Sequence, residues 1–484
     1  MSAAPVLVWF RIDLRIADNP ALNAALGTGQ PVIPVFIWAH AEESPWAPGA
    51  ASQWWAHHSL TSLDGDLRKC GSRLILKRGN SLESLQEIAR QTGADAVYWN
   101  RRYEPSVIAR DRRIKDALSS EGFRVETFNA GLLHEPWTIA NQAGKPFQVF
   151  TPFWKHCLGK PDPASPIPPP DKVLAPKRWP NSIPLADLQL LPRIRWDAGF
   201  GTAWKPGENN AAKSLHRFCA DSFLDYESGR NRPDQAGTSR LSPHLHFGEI
   251  SPRQIWHHLK EYRLGPASHW RNSQFLTEVG WREFAHHLLF HFPTTPEKPL
   301  RHEWEQFPWP DLNPKLLAAW QRGQTGFPIV DAGMRELWTT GWMHNRVRMI
   351  AASFLVKDLL IPWTSGARWF WDTLIDADLA ANTLGWQWTA GCGADAAPYF
   401  RVFNPTRQGE TFDPEGVYVR RWVPELAHLP NPLIHNPSSA SAIELAQARI
   451  QLGKTYPHPI VNHGCAKLRA LFLYDQLKAS RRPQ

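Results

Sequence analysis

Cysteine is scarce in this 484-residue chain: Cys70, Cys157, Cys219, Cys392 and Cys465 are the only five, and no two form a C-x-x-C pair. An odd, dispersed set excludes a disulfide framework and a zinc ribbon and argues for reduced thiols in a cytoplasm. No leader with a basic start, apolar middle and small-residue cleavage site opens the sequence, and no run of ~18 apolar residues follows, so neither secretion by signal nor a membrane span is expected. A glycine-rich phosphate grip is missing as well. After the first apolar run, where G-x-G-x-x-G would stand, the chain reads RIDLRIADN from Arg11 to Asn19, which speaks against a dinucleotide pyrophosphate site there. Tyrosine is rare at 8 residues against 25 tryptophans, an inversion that marks tryptophan as chosen for more than bulk.

What is present points to a large globular protein. An apolar content of 43% is enough for two or more cores, and a formal charge of +9 has the sign that attracts phosphate polyanions. Over residues 1–133 the runs VLVWF, PVIPVFIW, RLILKRG, AVYWN and RVETF alternate with longer helical stretches, the βαβ cadence of an α/β domain with a doubly wound, five-stranded parallel sheet. Ten prolines fall between Pro161 and Pro192, which excludes regular helix or central strand and predicts an extended interdomain connector over 134–207. From residue 208 to 484 the pattern is all-helical.

Chemistry concentrates in two places. Between Trp338 and Pro405, Trp342, Asn345 and Met349 recur at i, i+3 and i+7, and Asp378, Asn382 and Trp386 at i, i+4 and i+8. The second set is a polar-to-aromatic ridge inside an apolar bundle, and buried Asp and Asn are costly unless hydrogen-bonded, so an internal polar ligand is expected. Glu278 and Trp281 share another helix face, three residues apart. On that same helix Glu283, His287 and His291 recur at i, i+4 and i+8 like a metal face, yet there is no H-E-x-x-H and the flanking Leu288, Leu289 and Phe290 mark a buried helix, so no metal is expected.

Several longer motifs, in fixed order, carry a resemblance. TSRLSPHLHFGEISPRQ from Thr238, EVGWREF from Glu278, GFPIVDAGMRELWTTGWMHNRVRM from Gly326, the DADLAAN and WQW blocks and the opening VWFRIDLRIADNPAL resemble the photolyase/cryptochrome flavoproteins. Within that family the chain most resembles the bacterial enzymes that repair cyclobutane pyrimidine dimers, class III or class I-like, with LLHEPW and GAASQWWAHHSL leaning toward class III. The resemblance implies a light-driven lyase in which excited, reduced FAD passes an electron to a flipped-out dimer; the alternative it leaves is a cryptochrome-like blue-light receptor that binds FAD but signals.

By the same resemblance, FAD is held by Tyr226, Thr238, Ser239, Arg240, Leu241, Ser242, Arg282, Arg348, Asp376, Ala377, Asp378 and Asn382, with Arg348 and Asp376 paired and Asn382 facing flavin N5. The usual Asn-Gly-Gly continuation is replaced by Thr383-Leu384-Gly385. Glu278, Trp281, Trp388, Asn345 and Met349 form the implied dimer slot, with Glu278 expected protonated. Enzymes for the (6-4) photoproduct carry histidines at the last two positions. Trp386, Trp363 and Trp309 match the photoreduction chain, while Trp320 and Trp342 read as packing. DNA contacts fall on Arg230, Arg346, Arg401 and Gln408, together with Glu278, Trp281 and Asn345. An antenna is implied in the N-terminal crevice, methenyltetrahydrofolate or else 8-hydroxy-5-deazaflavin or none, with Trp38, Glu43, Trp54 and Trp55 as its lining. The expected partner is UV-damaged DNA, met by a monomer without an obligate protein partner in the bacterial cytoplasm.

Overall fold

In the computed structural model, which describes residues 4–262, 270–396 and 401–479, the five apolar runs are β1 (Val6–Phe10), β2 (Val32–Trp38), β3 (Ile75–Arg78), β4 (Ala96–Asn100) and β5 (Arg124–Phe128). All pair in parallel in the order β3-β2-β1-β4-β5. The runs of β1, β2 and β4 are continuous rather than alternating because both faces are covered. Val6, Val8 and Phe10 pack with α1 (Pro20–Gly27) and α2 (Ala50–Lys69), whereas Leu7 and Trp9 pack with α3 (Ser81–Thr92) and α4 (Pro105–Ser120).

After β5 comes one regular helix, Phe150–Leu158, and then the proline-rich stretch, which has no α-helix and only a short turn at Leu185–Leu188. It lies along the edge of the sheet. Val32 N–H donates to Leu174 O at 2.8 Å, Leu76 N–H to the Ser182 hydroxyl at 2.9 Å, and Ile183 N–H to Leu76 O at 3.1 Å. The edge strand β3 is thereby paired instead of open to another chain.

From Glu208 onward the described chain is helical. The helices Pro328–Thr340, Asn345–Ser353, Trp363–Thr373 and Leu379–Ala390 build the largest apolar core, and Gln274–His291 bridges that core to the one around Phe153 and Phe284. A π-helical turn, Phe354–Asp358, follows the second of these. The chain is thus an α/β domain with a five-stranded parallel sheet joined to a largely helical domain. No helix among the described residues is long and apolar enough to cross a membrane.

The RIDLRIADN segment docks the two domains. Buried Arg15 donates to Ala130 O at 2.9 Å and to Gly248 O at 2.8 Å, and Leu14 N–H donates to Phe247 O at 3.0 Å. Glu208 accepts the Ile16 and Ala17 N–H groups at 2.8 and 3.0 Å, and Arg253 pairs with Asp18 at 2.7 Å. Asp13 turns inward to accept from Arg11 N–H at 2.7 Å and from the Asn100 amide at 2.6 Å. Where a dinucleotide fold presents bare backbone to a pyrophosphate, this chain presents side chains to its own second domain.

Candidate active site

A cavity of about 160 Å³ opens in the helical domain, bordered by Asn345, Arg348, Met349, Asp376, Asp378, Asn382 and Trp386. Two capped helices aim these groups. His344 starts the first, its Nδ1 accepting from Arg346 N–H at 3.2 Å, and Asp378 starts the second, accepting from Ala381 N–H at 2.8 Å. These caps fix the helix starts and with them the faces turned to the cavity. Trp386 packs against the Trp363–Thr373 helix where Gly366 stands: a Cβ there would lie 2.0 Å from the indole ring.

The polar groups are satisfied by one another except where they meet the cavity. Asp376 Oδ2 accepts from the Ser242 hydroxyl at 2.6 Å and from Arg348 Nη2 at 2.8 Å, while its Oδ1 is buried without a partner. Trp342 Nε1 reaches the same Ser242 oxygen at 3.3 Å, so Trp342 does more than pack. Asn382 donates its amide to Ala367 O at 3.1 Å, which leaves its carbonyl oxygen as an acceptor without a partner among the described residues. The buried Asp376 Oδ1, left open on a residue that lines the cavity, calls for a ligand carrying N–H or O–H groups. Burial raises the Asp378 carboxyl, but His286 at 3.3 Å and His246 at 3.8 Å overcome it and hold the group well below the usual carboxylate range. His286 moves the complementary way: burial lowers it, and Asp378 more than restores it. Arg282, one turn before His286, donates to Gly131 O at 2.7 Å, at the seam between the domains.

A second group lies around Glu278 on the Gln274–His291 helix. Its Oε1 takes both Arg230 Nη1 and Gln274 Nε2 at 2.7 Å. Burial pushes the carboxyl up, against Arg230 and Gln274. Trp281 stacks on Phe150 with 3.8 Å between ring centroids and 8° between planes, so Phe150 covers one indole face. Arg346 is steered by Asn231 Oδ1 at 2.6 Å and lies over the Phe412 ring at 4.4 Å. Burial, then the Arg230 and Arg401 charges, depress its guanidinium, and burial with Arg348, Arg346 and Arg230 drives His344 down to about 4. Cations crowded this closely form a site for an anion. Asn345 is exposed, Met349 and Trp388 are half-buried, Arg401 is exposed and Gln408 stands half-buried on the Pro405–Phe412 helix.

Residues 6–171 match the family described as DNA photolyase, and residues 275–476 match the FAD binding domain of DNA photolyase. Deoxyribodipyrimidine photo-lyase from Agrobacterium fabrum is 49% identical over 479 residues, 99% of each chain. Cryptochrome-1 from Arabidopsis thaliana is 42% identical over 98% of this chain and 71% of its own. The crystal structure of a bacterial class III photolyase from Agrobacterium tumefaciens shares the fold with a TM-score of 0.95 at 49% identity, covering 99% of this chain and 98% of the other. The chain belongs to the photolyase/cryptochrome family.

For a member of this family the positions of its tryptophans matter. Trp386 is 2% exposed, Trp363 is buried in the same core and half-buried Trp309 packs against it beside Phe307 at 4.5 Å. The Trp386 ring lies 5.0 Å from Phe370 and 6.3 Å from Trp320. Arg240, at φ +53°, lays its guanidinium on Trp204 at 4.1 Å, Leu241 is buried, and Ser242 opens the short Ser242–His246 helix; Thr238 and Ser239 are half-buried just before them. Tyr226 stands apart from that segment, against Phe218 and Phe275 beside Arg230. Ala377 is buried between Asp376 and Asp378.

One expectation needs correction. Trp54 and Trp55 do not line a crevice: Trp55 is 0% exposed, packs on Trp204 and Phe247 and donates to Glu249 at 3.1 Å, and Trp54 is buried against Phe200. Neither indole has a face left for a ligand. Trp38 and Glu43 do border a crevice of about 50 Å³ at the carboxyl end of β2, where Glu43 grips Arg102 with both oxygens at 2.6 and 2.9 Å. The metal-like helix face serves the backbone instead. Glu283 accepts from Leu133 N–H at 2.9 Å, His287 Nε2 accepts from Phe147 N–H at 3.0 Å, and His291 Nε2 donates to Pro136 O at 3.2 Å. Among the described residues no cluster of His, Cys, Asp and Glu is arranged to hold a metal.

Proposed function

We propose that the chain is a deoxyribodipyrimidine photo-lyase that splits cyclobutane pyrimidine dimers in UV-damaged DNA under blue light. The observation that carries this reading is the shared cavity: Asn345 and Met349 border the same space as Asn382 and Asp376, so a lesion over the first pair meets a flavin held by the second. FAD fits that space because Asp376 Oδ1 and the Asn382 carbonyl are acceptors in search of donors. Tyr226, Thr238, Ser239, Arg240, Leu241, Ser242, Arg282, Arg348, Asp376, Ala377, Asp378 and Asn382 are the residues proposed to hold it. Held there, FAD in its reduced form would supply the electron that opens the cyclobutane ring and would take it back afterwards.

The chain's own groups position and shield. Trp281, backed by Phe150, offers one free face for stacking, with Trp388 as the opposite wall, and Glu278 supplies a hydrogen bond to the dimer carbonyls. Arg230, Arg346, Arg401 and Gln408 hold phosphates, which gives affinity without sequence preference. Trp386, Trp363 and Trp309 pass a hole outward when oxidised flavin is reduced by light. Trp38 and Glu43 in the β2 crevice are the residues that would hold an antenna folate, methenyltetrahydrofolate, which would show as a near-ultraviolet band. The domain limits proposed are 1–133, 134–207 and 208–484, in a monomer of the bacterial cytoplasm.

The similarity to Cryptochrome-1 of Arabidopsis thaliana keeps a receptor as the second reading. One experiment separates the two. Chemically reduced protein is given a thymine cyclobutane dimer and a (6-4) photoproduct in matched oligonucleotides under blue light. Splitting of the first alone is the expected result; repair of neither favours the receptor, and repair of the second overturns the role given to Asn345 and Met349.

A further inference from the structure

Glu278 is engaged by two side chains. A single carboxylate oxygen holds both Arg230 Nη1 and Gln274 Nε2 at 2.7 Å. The Tyr226 phenol, on the same turn as Arg230, is the other titratable group beside it. Of the elements packed on the Gln274–His291 helix, Leu379–Ala390 has no titratable side chain, Glu227 on Tyr226–Gly229 and Lys155 and His156 on Phe150–Leu158 are exposed, and Arg271 is tied to Asp162 at 2.8 Å. Arg230 is therefore the cation that favours the ionised form of Glu278, against a burial that favours the neutral acid.

Arg230 is contested. Its charge also bears on Arg346, as does that of Arg401. A phosphate arriving among the three guanidinium groups relieves their repulsion and offers Arg230 a bidentate, fully ionised partner. Pyrimidine carbonyls in the slot only accept hydrogen bonds, so what they require of Glu278 is an O–H.

Building on the repair reading above, we propose that lesion binding moves Arg230 from Glu278 to a phosphate flanking the dimer, and that Glu278 takes one proton from solvent in exchange. The charges balance. Before binding, Arg230 and Glu278 cancel; afterwards Arg230 and phosphate cancel and Glu278 is neutral, with one proton gained from buffer. Recognition of the lesion is thus proton-linked, and Arg230 is the positioning residue that sets the link.

The test is calorimetric titration of the full, FAD-bound protein in the dark with an oligonucleotide carrying a thymine dimer, in phosphate and in Tris at one pH and ionic strength. The apparent enthalpies should differ by the ionisation heat of about one proton per lesion near neutral pH, and the dissociation constant should rise by up to about tenfold per pH unit above it. Glu278→Gln, which keeps the volume and a donor, should abolish the uptake and flatten the pH dependence. Arg230→Gln should also diminish the uptake, because Glu278 then carries its proton before DNA arrives. Equal enthalpies in both buffers, from a preparation that binds and splits the dimer, would overturn the inference and leave the enzyme reading intact; uptake undiminished in Glu278→Gln would overturn it as well. A preparation that neither binds nor splits the dimer sinks the repair reading, and this inference with it.

Discussion

Gly366→Ala adds one methyl group against the ring of Trp386, which borders the cavity of the helical domain. Its carbon would lie 2.0, 2.5 and 2.6 Å from three atoms of the Trp386 ring, where ordinary carbon contact is ~3.5–4.0 Å. The indole has no room to turn, because Phe370 stands 5.0 Å and Trp320 6.3 Å away and the ring is 2% exposed. Either the helices Trp363–Thr373 and Leu379–Ala390 part by ~1.5 Å, or the ring slides into the cavity. Overpacking of this kind costs ~3 kcal/mol at the upper end of its range, and replacing glycine within a helix returns ~1 kcal/mol. A net loss of ~2 kcal/mol is expected in urea unfolding of flavin-free protein, with FAD affinity reduced about tenfold if the ring moves inward. A variant stabilised by ~1 kcal/mol, as an unhindered helical Gly→Ala would be, with unchanged FAD affinity, would refute the packing argument.

Two further outcomes are expected. Trp386→Phe should stop light-driven reduction of oxidised FAD while leaving dimer splitting intact once the flavin is reduced chemically; photoreduction at the parental rate would remove Trp386 from the electron path. His287, lowered by burial from 6.5 to about 4 and accepting from Phe147 N–H, contributes stability that is complete above pH 6.5 and is lost as pH falls toward 4. The loss is ~1.4 kcal/mol per pH unit at most. His287→Phe should therefore flatten the stability curve between those limits, and an unchanged slope in chemical denaturation would show that another group titrates.

What the sequence made legible was local. The β strands are short runs whose periodicity and flanking helices are set within a few residues, and ten prolines between Pro161 and Pro192 leave the connector little choice of conformation. The face shared by Asn382 and Trp386 also follows from helical spacing, although Asp378 stands as the cap before that helix and not within it. Partners distant in sequence were hidden. Trp55 meets Glu249 and Trp281 meets Phe150 across many intervening residues, and no spacing rule connects them. Glu283 and His287 looked like ligands because their partners are backbone N–H groups of Leu133 and Phe147, which every residue but proline carries and which leave no trace in the sequence. RIDLRIADN was informative as a missing phosphate grip, but its role in docking needs Gly248, Phe247 and Glu208 to be seen beside it.

The distribution of charge divides the site into two walls with different physics. Toward the interior each carboxylate has its own counter-charge, Arg348 for Asp376 and His286 for Asp378, so the net field is small and a ligand is selected by shape and by the two unpaired acceptors. Toward the mouth the balance tips. Arg346 leans on a neutral amide and a phenyl ring, Arg401 lies over Phe403, and among the described residues neither has a carboxylate partner. Part of the chain's surplus of +9 is thereby left uncompensated at the rim. Binding to the inner wall should feel ionic strength little, because its charges are paired and buried, whereas binding at the rim exchanges counterions and must weaken steeply with salt. Glu278 sits between the two, paired at 2.7 Å with an arginine that belongs to the rim. That position makes it the group whose proton reports whether the rim is occupied.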